Sequence, residues 1–390
     1  MKIIKKSKVK NELREKEQEI KIAVYCPGFG RIPRGIETVV YEIFSRLGKN
    51  KNYKITIYTG AKNFSVDFAK IISVPVIPYT SKIARLYSRI AKRLKFVANE
   101  NYDFDFLIFA FFAFLKSLFI RYDIIFNESG LYMQYFLKIY KFIYRTKIIH
   151  SGHAGINKLE FSIARLKPDI YIASSPFAYK EIKKRFSDLD VRVLPNGVSL
   201  EQKEKKELDL IKPIILYVGA LVAYKQVDKL IKAFSKVNKG SLLIIGDGEL
   251  YDDLNELAEN LKIRNIKFIK GVPLEELQKY FNSSDLFVLP SKNETFGIVY
   301  LNALAANIPA IADKSEIQKW ILKDAGLTCN CEDENELTET IKKCLEINWA
   351  DRPLKRAEYF SWNKCAKCYD KIIKEVISGK EKYNWEEYWQ

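Results

Sequence analysis

Cysteine is scarce in this chain. Six residues in 390, Cys26, Cys329, Cys331, Cys344, Cys365 and Cys368, fall far below the density of a secreted disulfide scaffold. No signal-peptide pattern precedes the first expected strand, so a reducing cytoplasm is the expected setting. Cys329 with Cys331 and Cys365 with Cys368 have the spacing of thiolate pairs. One pair falls in a loop and the other on a helical pattern, so free structural thiols are expected rather than a four-thiolate metal site. A membrane-spanning run is also missing. The strongly aromatic stretch 104–120, FDFLIFAFFAFLKSLFI, is shorter than the ~20 apolar residues a spanning helix needs, and Lys116 interrupts it, so a buried helix is expected, or one partly sunk into lipid beside a neighbouring basic helix. Acids paired to hold a metal and any recognised nucleic-acid module are absent as well, which argues against both partners.

What the chain does have is length, aromatics and positive charge. At 390 residues it exceeds one ordinary core, and 24 Phe with 23 Tyr can fill two. The formal charge of +17 predicts attraction to something anionic: nucleic acid, a bilayer surface or a phosphorylated substrate.

Residues 1–20 form a lysine-rich leader that need not pack on a core. Short apolar runs ending in Gly or polar residues then alternate with amphipathic helical patterns. IKIAVYCPG (20–28) is followed by a helix over 37–47 and by YKITIYTG (53–60), which reads as a parallel βαβ unit. The alternation continues through strand-like runs at 122–130, 147–155, 169–175 and 191–197. A charged stretch at 199–213 breaks it, and it resumes with strands at 213–221, 241–249, 265–273 and 285–291, each followed by a helix. The expected organisation is a leader (1–20), an N-terminal Rossmann-like domain (21–198), a linker (199–213) and a C-terminal Rossmann-like domain (214–355). A helix is expected over 356–378, and a tail occupies 379–390. Two α/β, doubly wound domains facing one another leave a cleft, and ligands of such sheets bind beyond the carboxyl ends of the strands.

The segment PSKNETFGIVYLNALAANIP (290–309) carries the clearest chemistry. Glu294 ends a loop, and Thr295, Phe296 and Gly297 lead into a helical run. A helix N-terminus offers unpaired N–H groups and partial positive charge to a diphosphate, and Gly297 lets a ligand approach the backbone. Glu294, just outside, can accept sugar hydroxyls. A sugar nucleotide presents both groups.

At these residues the chain resembles the large family of retaining GT-B transferases that includes sucrose synthases and phosphatidylinositol mannosyltransferases, glycosyltransferase family 4 or group 1. That family's Glu, seven residues, Glu pattern is met by Glu294 and Phe296-Gly297, with Asn302 in place of the second acid and Asn307 in place of the Gly before Pro309. VGALVAYKQVDKLIKAF (218–234) resembles the strand and helix that hold the donor diphosphate; Gly219 and Lys225 match, and Ala220 replaces an Arg. IIGDGEL (244–250), with Gly246 and Gly248, resembles the family's Gly-x-Gly turn. PRGIETVVYEI (33–43) resembles its Gly-Gly loop, with Arg34 for the first Gly and Gly35 for the second. His153 in KIIHSGHAG stands where the family has a His close to the donor sugar, and residues 360–377 resemble its closing helix.

The resemblance implies that 21–198 is the acceptor-side domain, that 214–355 is the nucleotide-sugar domain and that the helix over 356–378 crosses back to the first domain. It implies a metal-independent hexosyltransferase. It would move a sugar from a UDP- or GDP-sugar to a glycan or lipid-linked acceptor with retention, in synthesis of cell-surface polysaccharide, lipopolysaccharide or glycolipid. It needs no cofactor beyond the nucleotide-sugar co-substrate. Glu294, His153 and Lys225 are the implied catalytic residues; Gly35, Arg34, Gly219, Gly246, Gly248, Thr295, Phe296, Gly297 and Asn302 the donor-binding ones. The competing expectation, favoured by Ala220, Asn302, Asn307 and Arg34, is a catalytically degenerate GT-B protein that serves as a binding subunit.

Residues 81–100, SKIARLYSRIAKRLKFVANE, hold Lys82, Arg85, Arg89, Lys92, Arg93 and Lys95 with no acid before Glu100. Ile83, Leu86, Tyr87, Ile90, Leu94 and Val97 share one helical face. This is the pattern of a helix lying on an anionic membrane surface, and peripheral attachment to the inner face of the cell membrane is expected. The other reading is a solvated helix packed on the first domain.

Overall fold

The computed structural model describes residues 19–32, 35–78, 80–93, 101–153, 155–201, 204–292, 294–379 and 382–389. Arg34, residues 94–100 and the leader before residue 19 lie outside them. The chain divides into two compact units, Met1–Pro195 with Cys365–Gln390, and Asn196–Lys364. Each is built on an all-parallel sheet, as two Rossmann-like domains require.

In the first unit the chain runs β1 (Ile20–Tyr25), α1 (Gly35–Leu47), β2 (Tyr53–Thr59), β3 (Lys70–Ser73), α2 (Lys82–Arg93), α3 (Asn101–Ser117), β4 (Ile124–Asn127), α4 (Leu131–Tyr144), β5 (Lys147–Gly152), α5 (Lys158–Arg165), β6 (Ile170–Ala173), α6 (Pro176–Arg185) and β7 (Val191–Val193). The sheet order is β3-β2-β1-β4-β5-β6-β7. Its strands are buried on both faces, which is why they read as short unbroken apolar runs. On one face Tyr25 and Tyr58 pack under Phe109, Ala113, Met133 and Leu137 of α3 and α4. On the other, the Phe126 ring meets Phe44 of α1 and Tyr369 of the C-terminal segment at centroid distances of 5.1 and 5.8 Å. Local caps set the helix starts: Asn157 accepts from the Glu160 N–H, and Ser175, with Pro176 behind it, accepts from the Ala178 N–H.

The second unit runs β8 (Ile214–Val218), a single turn at Ala223–Lys225, α7 (Val227–Phe234), β9 (Ser241–Ile245), α8 (Tyr251–Asn260), β10 (Ile266–Ile269), α9 (Leu274–Ser283), β11 (Leu286–Leu289), α10 (Ile298–Ala305), β12 (Ala310–Asp313), α11 (Glu316–Leu322), β13 (Gly326–Cys329), α12 (Glu334–Glu346) and α13 (Arg352–Tyr359). Its order is β10-β9-β8-β11-β12-β13. Strand order therefore reverses between β1 and β4 in one sheet and between β8 and β11 in the other. Those are the two switch points where open parallel sheets leave a crevice.

The structural boundaries differ from the sequence expectation. The second unit starts at Asn196, because Val198 exchanges backbone bonds with Phe360 and Trp362 (2.9 and 3.2 Å) and Gly197 lies against the Trp362 ring. The charged stretch after it is anchored to this unit by the Lys206 N–H, which donates to Ser283 Oγ at 2.7 Å. Residues 356–378 are not one helix. α13 ends at Tyr359, α14 (Trp362–Ser378) starts anew, and only from Cys365 does the chain belong to the first unit, closing with α15 (Glu386–Trp389). All six cysteines are free and buried. The sulfurs of Cys329 and Cys331 lie 3.7 Å apart in the second unit, and Cys365 and Cys368 sit in the first.

Candidate active site

At the switch point of the second sheet, the loop after β8 carries Lys225 and the loop after β11 carries Glu294. Their side chains meet at 2.5 Å, Lys225 Nζ donating to Glu294 Oε2, and each is only 13–14% exposed. The Lys292 N–H donates to Tyr224 O at 3.0 Å, which ties the two loops together by backbone. The carboxylate lies beside two phenols: burial, and then the charge of Glu294, push Tyr217 and Tyr300 above the usual phenol range. Both hydroxyls are turned to backbone carbonyls, those of Ala220 and Leu289, at 2.9 Å each.

Gly297 follows with φ +81°, and a Cβ there would stand 2.6 Å from the Tyr300 ring, so the residue that opens α10 has to be glycine. The preceding Phe296 is 3% exposed and its ring packs edge-on against Trp320 and Phe360. Its side chain is therefore a core anchor for the loop, which leaves only its backbone for the donor contact expected of it. Thr295 is half-buried in the same loop, and Asn302 lies in the second turn of α10, where its carbonyl accepts from Gln278 Nε2. The glycines after β8 and β9 serve close approach of two backbones: a Cβ on Gly246 would stand 1.9 Å from Gly219 O, and one on Gly248 2.4 Å from Leu221 O. Asn307 takes φ +58° in place of glycine. Its amide donates to Ala350 O, and its side-chain oxygen accepts from the Leu354 N–H.

In the first unit, His153 follows β5 and Glu128 follows β4, its neighbour in the sheet. Glu128 was missed in the sequence, and it is the residue that organises this corner. Its Oε2 lies 2.8 Å from His153 Nε2, and its Oε1 accepts from Ser151 Oγ at 2.6 Å. Burial works against charge on His153, but the Glu128 carboxylate, by its charge and its hydrogen bond, outweighs it and raises the imidazole above its usual value, with smaller help from Glu160 and Glu37. His150 is different. It is buried, with Nδ1 on Asn127 O and Nε2 on Glu160, so it is a packed, structural histidine. Gly35 is the first residue of α1 and is exposed. One signal could have found Glu128: it is an acid at the carboxyl end of a strand bordering the switch point.

The basic helix α2 does not pack by its apolar face. Ala84, Ser88 and Ala91 are buried, whereas Ile83, Leu86 and Ile90 are at least half exposed. Tyr87 turns to α4, sharing a hydrogen bond with Tyr132. α3 buries Phe109, Ala110, Ala113 and Phe114 but exposes Phe111, Phe112 and Leu115, and Phe119 just beyond it is 90% exposed. This helix is therefore half-buried, with an apolar outer face. The outer face of α4 continues the apolar surface with Ile139 and Phe142, the latter 88% exposed. Lys82, Arg85, Arg89, Lys92 and Arg93 all lie on α2 beside it. Among the described residues no helix is long and apolar enough to cross a membrane.

Comparison with known proteins bears on these observations. Residues 198–362 match the family described as Glycosyl transferases group 1. An alpha-monoglucosyldiacylglycerol synthase of Streptococcus pneumoniae is 26% identical over 176 residues, which span 40% of this chain and 40% of that protein. Among solved structures, sucrose-phosphate synthase from Thermosynechococcus elongatus superposes with a TM-score of 0.73 at 17% identity, covering 93% of this chain and 100% of the other. HepE of Anabaena in complex with UDP-glucose does so with a TM-score of 0.68 at 14% identity, covering 92% and 100%. With the two parallel sheets and their order, these likenesses identify residues 198–362 as a group 1 glycosyltransferase domain within a chain of GT-B architecture.

Proposed function

We propose that this chain transfers a hexose from a nucleotide diphosphate sugar to a glycan or lipid-linked acceptor at a membrane surface, with retention at the anomeric carbon and without a metal ion or other cofactor. The observation that carries this reading is the meeting of Lys225 and Glu294 at the switch point of the nucleotide-binding sheet, directly before the Gly297 turn into α10. A sugar nucleotide needs a cation for its diphosphate and an acceptor for its sugar hydroxyls. This pair supplies both at one spot. As the bond from the sugar to the diphosphate breaks, negative charge grows on the leaving oxygen. Lys225 and the N–H groups opening α10 are placed to neutralise it, which lowers the barrier. In the first unit, Gly35 at the start of α1 would bring further amides to the diphosphate, together with Arg34, and His153 would bind the sugar. Asn302 would bond the ribose without the charge-assisted strength of a carboxylate. HepE, of the same fold, binds UDP-glucose, which makes UDP-sugars the first donors to try.

The outer surface of α2, α3 and α4 supports a lipid-linked acceptor and peripheral attachment to the inner face of the cell membrane. Exposed Phe119, Phe142 and Ile83 beside Arg85, Arg89 and Lys92 suit a bilayer with anionic headgroups, and the pneumococcal relative is named for a glycolipid product.

The test is transfer and hydrolysis over a panel of UDP- and GDP-sugars with wild type, Glu294→Ala and Lys225→Ala. Turnover that falls about 100-fold or more in each variant supports the reading. Donor binding without turnover, unaffected by either substitution, would instead make the chain a binding subunit that kept the fold, as Ala220 and Asn302 allow.

A further inference from the structure

We propose that Glu128 is a positioning residue for His153: its carboxylate holds the ring by Nε2–H and leaves Nδ1 to meet an oxygen of the sugar nucleotide. The catalytic meaning rests on the transferase reading above; the positioning itself does not.

The geometry comes from the sheet. β4 and β5 are parallel neighbours with Asn127 opposite His150, so Glu128, one step beyond β4, comes level with Ser151 at the end of β5. Ser151 Oγ occupies one carboxylate oxygen at 2.6 Å, and His153 Nε2 lies 2.8 Å from the other. With both oxygens engaged and its side chain 2% exposed, Glu128 has little freedom to turn. Nδ1 of His153 has no hydrogen-bond partner among the described residues. The Nε2–H bond to a carboxylate fixes which nitrogen carries the first proton. Any second proton goes to Nδ1. A doubly protonated ring is therefore a donor at Nδ1, suited to a phosphate or sugar oxygen, and a singly protonated ring is an acceptor there, suited to a hydroxyl. Glu128 favours the donor form.

The groups around His153 come from four sides: Glu128 after β4, Ser151 on β5, Glu160 on α5 and Glu37 on α1. Tyr369 of α14 lies beside Glu128 and Ser151. Burial opposes charge on the ring, and the three carboxylates favour it, Glu128 most and through a direct bond. Glu160 is shared with His150 and the Tyr171 hydroxyl, so it acts on His153 at longer range.

The experiment uses the fact that His150 and His153 are the only two histidines. Imidazole-labelled full-length protein is titrated by NMR, with assignment from His153→Gln. In wild type, His153 titrates above ~6.5, the value of an unperturbed imidazole. Glu128→Gln lowers that titration, and Glu160→Gln lowers it by less. His150 reports whether the fold persists in the Glu128 variant. A wild-type His153 that titrates at or below ~6.5, or one that Glu128→Gln leaves in place, overturns the proposal. If Glu128→Gln does not fold, the wild-type titration still decides. On the turnover side, the high-pH limb of the kcat/KM profile should move to lower pH in Glu128→Gln, with smaller change in KM. Absence of turnover from every donor, with the titration shift intact, would fail the transferase reading and leave the positioning role standing.

Discussion

At the scale of single residues, what each one touches decides the part it plays. Gly297 and Phe296 both belong to the most legible motif, yet Phe296 packs against Trp320 and Phe360 while Gly297 permits a left-handed turn. Gly297→Ala places a methyl 2.6 Å from the Tyr300 ring at φ +81°, and should cost about 1–3 kcal/mol by urea denaturation. Asn302→Ala, on the half-buried face of α10, should change stability by less than about 0.5 kcal/mol. The His153–Glu128 pair has a pH signature of definite sign. The folded state raises the His153 value, so its contribution is fully present below the unfolded-state value of ~6.5 and fades as pH rises through the folded one. Unfolding midpoints measured across that window should fall with rising pH in wild type and be flatter in Glu128→Gln.

Among the elements, the strands were the easiest to read. A parallel strand buried on both faces is a short apolar run, and here such runs end in Gly, Asn or Ser because the chain must turn at the sheet edge. The amphipathic helix α2 was legible as an element, but not in its orientation. Periodicity shows which residues share a face; it does not show which face packs. In α2 the small side chains of Ala84, Ser88 and Ala91 allow close approach to the rest of the unit, and that turns Ile83, Leu86 and Ile90 outward. If this surface meets lipid, wild type should co-sediment with anionic vesicles and not with neutral ones. Arg85→Gln with Arg89→Gln should weaken binding about thirtyfold, at ~1 kcal/mol for each charge near the surface. Phe119→Ser with Phe142→Ser should weaken it at any salt concentration. Equal failure of wild type to bind both kinds of vesicle removes the membrane reading.

For the whole molecule, the C-terminal segment completes the first unit. Arg192 on β7 is gripped by Glu375 of α14 at 2.6 and 2.9 Å and by Asp190, and Tyr53 donates to Asp370 at 2.6 Å. Trp389, fully buried, donates to the Tyr383 hydroxyl, which donates to Val193 O. Trp389→Ala should therefore cost about 3–5 kcal/mol and Glu375→Ala about 1.5–3, the latter because it removes charge-assisted hydrogen bonds from a guanidinium that Asp190 still holds. Urea midpoints that do not move in either variant would rule out this closing role.

The sequence by itself determined the alternation of strands and helices, the doubly wound halves, and the loops that carry Lys225, Glu294 and Gly297. These depend on local periodicity and turn chemistry, which a linear reading contains. Only the tertiary structure decided that Lys225 and Glu294 touch, that Glu128 orders His153, and that the chain re-enters the first unit at Cys365. Each of those depends on strand order and register. They bring together residues 69 positions apart in one case and 25 in another, and no local pattern encodes such distances.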